Sequence, residues 1–248
     1  MKKILYVLLF ILCPVVSQAQ DLKIKADSAY QQDHFAQAAE LYEQLLQKGH
    51  SSEVYYNLGN CYYRLEKIAP CILNYERALL LSPGDAQVRH NLELARNKTI
   101  DKMIPAGEVF LVTWFKTIVN TLSVDGWGKL ATVCFILALV MLGIYLFIKD
   151  MLWRKIGFYA GIAFITVCVL ANIFAWYQKQ MLLNRNTAVV MTKECKGKTT
   201  PSDSGKDAFV IHEGTKVTVK DASMNEWLEV RLDDGKSGWL RAENVEKI

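Results

Sequence analysis

The chain has little of what most enzyme chemistry needs. Its 248 residues include four histidines, His34, His50, His90 and His212, scattered with no second ligand at metal-site spacing. No cysteine–histidine pair has an orienting partner, and no glycine-rich phosphate loop occurs. These gaps argue against metal hydrolysis, thiol nucleophiles and nucleotide-phosphate chemistry, so the expectation is a non-enzyme with no cofactor and no metal. Net charge is also small, +4 and spread along the chain, which excludes a nucleic-acid partner. Six cysteines do not form a disulfide framework once they are placed. Cys13 lies in an N-terminal apolar stretch, Cys134 and Cys168 lie in longer apolar runs, and Cys61, Cys71 and Cys195 leave an odd number. Cys61 and Cys71 read either as a pair or as two small buried helix residues.

What the chain has instead is long uncharged stretches. Residues 130–148, LATVCFILALVMLGIYLFI, and 156–177, IGFYAGIAFITVCVLANIFAWY, carry no Asp, Glu, Lys or Arg. A helix needs about 20 apolar residues to cross a hydrocarbon core roughly 30 Å thick, and both runs meet that length. Only residues 149–155 separate them, so two spans would form a hairpin whose flanking segments share one compartment. Gly157 and Gly161 have the spacing that permits close helix contact, and Asn172, the one strongly polar side chain in either run, reads as helix-packing glue.

The N-terminal residues set the orientation. Lys2 and Lys3 precede an apolar stretch over residues 4–12, Pro14 breaks it, and Ser17 and Ala19 fall at the −3 and −1 positions of a cleavage site. This order predicts a secretory signal peptide over residues 1–19; an uncleaved anchor is the alternative and gives the same topology. The loop KDMLWRK, with Lys149, Arg154 and Lys155, then faces the cytoplasm, in line with the positive-inside rule. Lys129, Lys179 and Arg185 near the outer ends make loop charge a supporting argument only. The expected location is the inner (cytoplasmic) membrane, with two spans and both soluble modules periplasmic.

The first module repeats itself. ADSAYQQDHFAQAAELYEQLL, residues 26–46, aligns with GNCYYRLEKIAPCILNYERAL, residues 59–79, at a shift of 33. Ala26 meets Gly59, Tyr30 meets Tyr63, Ala38 meets Cys71 and Tyr42 meets Tyr75. That period signals stacked helix pairs in which small residues allow close approach and aromatics fill the gap to the next unit. Pro83 ends the second pair, and VRHNLELARNK, with Val88, Leu92 and Ala95 on one face, reads as a capping helix. The stretch resembles the tetratricopeptide repeat, best in the second copy, where Leu58, Gly59, Tyr62, Tyr75, Ala78 and Pro83 fall at that family's spacing. The resemblance implies a concave partner-protein surface built from Asp27, Tyr30, Gln31, Tyr56, Asn60, Tyr63, Arg64 and Asn91; the other reading is an ordinary solvated helix face. Lys23 and Asn57 match two positions of a carboxylate-clamping subset, but Asp27 would repel that ligand.

Between this module and the first span, Phe110, Leu111, Trp114, Phe115, Ile118 and Leu122 recur at helical spacing. Such a helix lies either in the membrane interface or against a neighbouring membrane protein. Ser123 reads as the N-cap of the first span, with Trp127 as an interfacial anchor. From residue 187 the period changes to two, with five expected strands near residues 188–191, 209–211, 216–220, 227–232 and 237–240, and a hairpin turn at Asp233, Asp234 and Gly235. Gly214, Val217, Val219, Trp227, Val230, Gly235, Gly238, Trp239 and Val245 resemble the pattern of bacterial SH3-like domains. Such domains bind wall peptides or proteins; Trp227 and Trp239 read as core, with Trp239 also a candidate for a ligand groove.

The expected whole is a multidomain membrane protein. A signal peptide (1–19) precedes an all-α tetratricopeptide repeat domain with capping helix (20–100) and an amphipathic interfacial connector (101–129). Transmembrane α-helices at 130–148 and 156–177 flank a cytoplasmic loop (149–155), and a small all-β SH3-like barrel occupies 185–248. This order, with the run VRHNLELARNKTIDK leading into the Trp-rich segment, resembles the BatE-type family of the Bacteroides aerotolerance (Bat) operon. The resemblance implies a membrane-anchored scaffold or adaptor of an envelope complex linked to oxygen or stress tolerance. Its partners would be membrane-anchored von Willebrand A-type proteins, beside the lipid bilayer itself. The alternative is an envelope sensor or peptidoglycan-binding anchor acting through the SH3-like domain.

Overall fold

The computed structural model describes residues 20–102, 110–184 and 186–248; the expected signal peptide and residues 103–109 of the connector lie outside them. The chain divides into two compact units, one holding the N-terminal helices and C-terminal strands, the other the chain between them.

In the first unit, α1 (residues 20–31), α2 (Phe35–Lys48), α3 (Ser52–Arg64) and α4 (Ile68–Leu81) form two helix pairs, followed by α5 (Ala86–Arg96). The 33-residue shift is written into the backbone. Asp33 and Glu66 both turn left-handed, at φ 60° and 59°, to end the first helix of each pair. The next N–H in each turn, His34 and Lys67, donates back to Ala29 O and Tyr62 O, at 2.9 Å in both copies. Ala26, Ala38 and Cys71 are fully buried, and a methyl group at Gly59 would sit 2.6 Å from the Tyr75 ring. Tyr42 donates to Asp27 at 2.5 Å, and its repeat equivalent Tyr75 donates to Asn60 at 2.6 Å. α5 starts where the Asp85 carboxylate accepts the Gln87 and Val88 N–H groups, and it buries the expected stripe of Val88, Leu92 and Ala95.

The C-terminal part is an antiparallel sheet of seven strands, not five: β1 (Thr187–Val190), β2 (Glu194–Lys198), β3 (Asp207–His212), β4 (Lys216–Asp221), β5 (Trp227–Arg231), β6 (Ser237–Arg241) and β7 (Val245–Lys247), in the order β3-β2-β6-β5-β4-β1-β7. The additional strands are β2 and β7. In β2 the inward positions are Cys195 and Gly197, too small to mark a hydrophobic alternation; Gly197 leaves room for the Phe209 ring, which would lie 2.2 Å from any Cβ there. β7 has only three residues.

Sheet and helices meet in this unit. Glu76 of α4, whose side chain is 8% exposed, accepts from Arg96 of α5 and, at 2.7 Å, from Lys216 of β4. Arg77 donates to Glu246 at 3.0 Å and to the Lys247 carbonyl at 2.6 Å. Asp101 accepts from the His212 N–H at 2.6 Å, the His212 Nδ1 at 3.0 Å and the Thr215 hydroxyl at 2.7 Å. Burial alone would raise the Asp101 carboxyl, but these bonds outweigh it and hold the group below its ordinary pKa. Gly214 turns the chain between β3 and β4 at φ +83°, and a side chain there would meet Thr99 at 2.8 Å and Ile72 at 3.0 Å.

The second unit contains α6 (Phe110–Val119), α7 (Val124–Phe147) and α8 (Met151–Leu183). Both α7 and α8 are long and apolar enough to cross a membrane. They pack antiparallel: Trp127 meets Phe174, Ala131 lies with Ala171, and Tyr145 meets Phe158. Gly157 makes the closest approach, since a Cβ there would lie 2.8 Å from Met141 O, whereas Gly161 makes only ordinary contact. Ser123 caps α7 through Gly126 N–H, as its position suggested. The seven-residue loop expected between the runs shrinks to residues 148–150, because Asp150 accepts the Leu152 N–H and starts α8 at Met151. Asn172 is exposed and donates to Cys168 O of its own helix, so it does not bind α7 to α8.

Candidate partner-binding groove

The inner helices α1 and α3 turn toward α5 so that a cleft of about 210 Å³ opens among Tyr30, Asn60, Tyr63, Arg64, Tyr75, Asn91 and Leu94. Five of the eight residues named from the sequence line it. Three do not. Asp27 is taken by the Tyr42 hydroxyl, Gln31 is exposed on α1 outside the cleft, and Tyr56 stands behind it, accepting from Asn91 Nδ2 at 3.0 Å. Asn60 Oδ1 receives both Tyr75 Oη at 2.6 Å and Asn91 Nδ2 at 3.2 Å. The floor is therefore a set of polar side chains linked to one another by hydrogen bonds.

The rim differs. Tyr63 carries the Lys98 ammonium 4.1 Å from its ring centroid, and Arg64 lies 4.7 Å over Phe35 and 3.6 Å from Asp33. The Arg64 side chain remains 54% exposed. A half-buried tyrosine beside an exposed arginine, above a hydrogen-bonded polar floor, can take an extended or helical peptide by stacking and hydrogen bonding. Tyr75 and Leu94 were not anticipated as lining residues. Tyr75 reads from the sequence as packing, which it also does. Leu94 could have been found as the exposed apolar residue on the cap helix opposite the buried Val88–Leu92–Ala95 stripe.

Several neighbouring residues bear on binding chemistry. Lys23 is engaged by Glu53 at 2.6 Å. Cys61 and Cys71 are free thiols, fully buried, and burial pushes both up to about 12. In the sheet, Trp227 is buried, whereas Trp239 is half-buried on β6, paired in register with Glu229 and Lys198. Among the described residues, no group of three or more His, Cys, Asp or Glu side chains could hold a metal ion.

Comparison with known proteins places one part of this site. The tetratricopeptide repeat family model matches residues 52–85, which cover α3, α4 and the turn before α5. No curated protein matches the chain. The chain thus contains a tetratricopeptide repeat, a type of module that mediates protein–protein interactions, and that repeat supplies Asn60, Tyr63, Arg64 and Tyr75 to the cleft.

Proposed function

We propose that the chain is a non-catalytic, membrane-anchored scaffold that holds partner proteins in the cleft between α1, α3 and α5. The observation that carries this reading is the meeting of half-buried Tyr30 and Tyr63 with exposed Arg64 in one cleft over a hydrogen-bonded polar floor, most of it inside a segment matching an interaction repeat. α7 and α8 would anchor it as a two-span hairpin. The residues flanking that hairpin, including the repeats and the SH3-like sheet, would face the periplasm, as the signal-peptide-like residues 1–19 imply. The module order supports a BatE-type adaptor in an envelope complex, with von Willebrand A-type membrane proteins as partners and a link to oxygen or stress tolerance. A second reading, peptidoglycan attachment through the sheet, draws on the half-exposed indole of Trp239.

The test is co-purification from native membranes after crosslinking. The double substitution Tyr63→Ala, Arg64→Ala should abolish recovery of membrane partners while the far-ultraviolet circular dichroism stays unchanged. Truncating aromatic and arginine anchors commonly costs about 2 kcal/mol or more each. Unchanged recovery would remove the groove assignment. Sedimentation of the intact protein with isolated peptidoglycan, lost in Trp239→Ala, would favour the second reading.

A further inference from the structure

The junction of α6 with α7 and α8 carries an arrangement that scaffolding does not require. α6 ends at Val119, and α7 begins at Val124 after a four-residue turn. A helix end leaves carbonyls without helical partners, and water normally satisfies them. Here two side chains do so. Trp127 Nε1 donates to Val119 O at 2.8 Å, and Gln178 Nε2 donates to Val119 O at 2.7 Å and to Leu122 O at 2.8 Å. Gln178 is only 4% exposed and comes from α8, 59 residues along the chain from Val119. Non-helical backbone is tolerated at membrane depth only where protein groups replace water in this way.

The faces of α6 are sorted to match. Thr113, Lys116 and Thr117 recur at i, i+3 and i+4 and define one polar stripe. Phe115 turns to α8, edge-on to Phe174 at 6.0 Å and to Tyr177 at 5.4 Å, and Val119 is fully buried. Phe110, Leu111 and Trp114 occupy a third sector and stand 77%, 68% and 57% exposed. In the same unit α7 and α8 also leave large apolar side chains exposed, among them Val133, Phe135, Ile165, Val169 and Trp176. Soluble surfaces rarely leave so many large apolar side chains bare.

We infer that α6 lies in the lipid interface, with Phe110, Leu111 and Trp114 among the acyl chains, Thr113, Lys116 and Thr117 toward water, and Gln178 as the positioning residue that fixes its C-terminal end. The occupant is the bilayer surface itself, not a partner protein. The inference rests on the hairpin reading of α7 and α8.

Spin-label accessibility tests it. The full chain, its six cysteines replaced by alanine or serine, carries one nitroxide at position 111, 113 or 165 and is reconstituted alone into phosphatidylethanolamine–phosphatidylglycerol vesicles. Labels on Leu111 and Ile165 should collide more with oxygen than with a nickel chelate, and the preference should invert on Thr113. A label on Ile165 in lipid with one on Leu111 in water overturns the inference and leaves the hairpin standing. Both labels in water overturn the hairpin and the inference with it. A Leu111 label shielded from both quenchers means burial against protein and also overturns it. Gln178→Leu should raise nickel collisions at position 111 while leaving position 165 unchanged; no change at position 111 overturns the role given to Gln178.

Discussion

Gly59→Ala sets two effects of known size against each other. Gly59 lies inside α3, where glycine is about 0.8–1.0 kcal/mol less favourable than alanine, so propensity alone predicts stabilisation. Tertiary packing predicts the reverse. The new methyl would lie 2.6 Å from both Cδ1 and Cε1 of Tyr75, a ring that is 1% exposed and tethered by its hydroxyl to Asn60. The ring cannot retreat without stretching that bond and disturbing the cleft floor. Overpacking of this kind costs about 1–3 kcal/mol. The balance is a net loss of roughly 0–2 kcal/mol, or up to about 30-fold more opening of α3 and α4. Hydrogen exchange followed by mass spectrometry reads those helices separately from the apolar hairpin. Exchange in the α3 and α4 peptides should quicken, and Tyr75→Phe in the same background should restore part of the protection by freeing the ring. Slower exchange in Gly59→Ala than in the parent would show that propensity wins and that the Gly59–Tyr75 contact does not set the repeat spacing.

Three other perturbations have definite expected outcomes. Cys61 and Cys71, raised to about 12 by burial, hold only about one part in 10⁴ thiolate at pH 8, so a maleimide should leave them unmodified until denaturant is added; rapid native labelling would contradict their burial. Asp101 has a folded pKa below its unfolded one, so its contribution is fully present above about pH 4 and is lost as pH falls through the lowered value; β3 and β4 amides, corrected for intrinsic exchange, should lose protection in that acid window, and Asp101→Asn should show the loss already at pH 7. Gly157→Leu would drive a side chain into Met141 O, 2.8 Å from the first added carbon, and should lower the yield of thiol crosslinking between cysteines placed at positions 145 and 158, measured against the same pair with Gly157 retained.

Legibility followed locality. The helix pairs could be read because each period repeats its own contacts: Ala26 and Gly59, Tyr42 and Tyr75 sit at the same points of the same local motif. The apolar runs were legible from length alone, though their ends were not, since α8 begins at a cap, Asp150, inside the expected loop. β2 was hidden because its inward residues, Cys195 and Gly197, are small and its partners Phe209 and Ile211 supply the bulk. The cleft gathers Tyr30 from α1, Asn60, Tyr63 and Arg64 from α3 and Asn91 from α5, whereas the Asp27 carboxylate meets Tyr42 from α2 and the Tyr56 hydroxyl meets Asn91 from α5; a face read along one helix does not show which partner another helix brings. Gln178 could not be read at all. The first glutamine of Gln178-Lys179-Gln180, after an apolar run, looks like the point where a span meets water, and only the arrival of the α6 end from far upstream gives it a role.

The meeting of sheet and helices bears on a difficulty that the sequence leaves open. Helical repeats bury their faces against one another, and arrays of this type usually need three or more units. Here there are two pairs and a cap. The missing layer is supplied by the sheet. Ile72 of α4 is fully buried and lies under Gly214, and Thr99, just beyond α5, meets the same turn. Glu76 then ties α4 to α5 through Arg96 and to β4 through Lys216, while Asp101 ties the end of the cap segment to His212 and Thr215. Both carboxylates are nearly buried, so separating sheet from helices would leave Asp101 without its donors and Glu76 with Arg96 alone. The residues that make these ties, Ile72 and Glu76, flank Tyr75 on α4, and Tyr75 forms part of the cleft floor. The sheet thus lies against α4 and the segment after α5 and buries helix surface that a two-pair array would otherwise leave open.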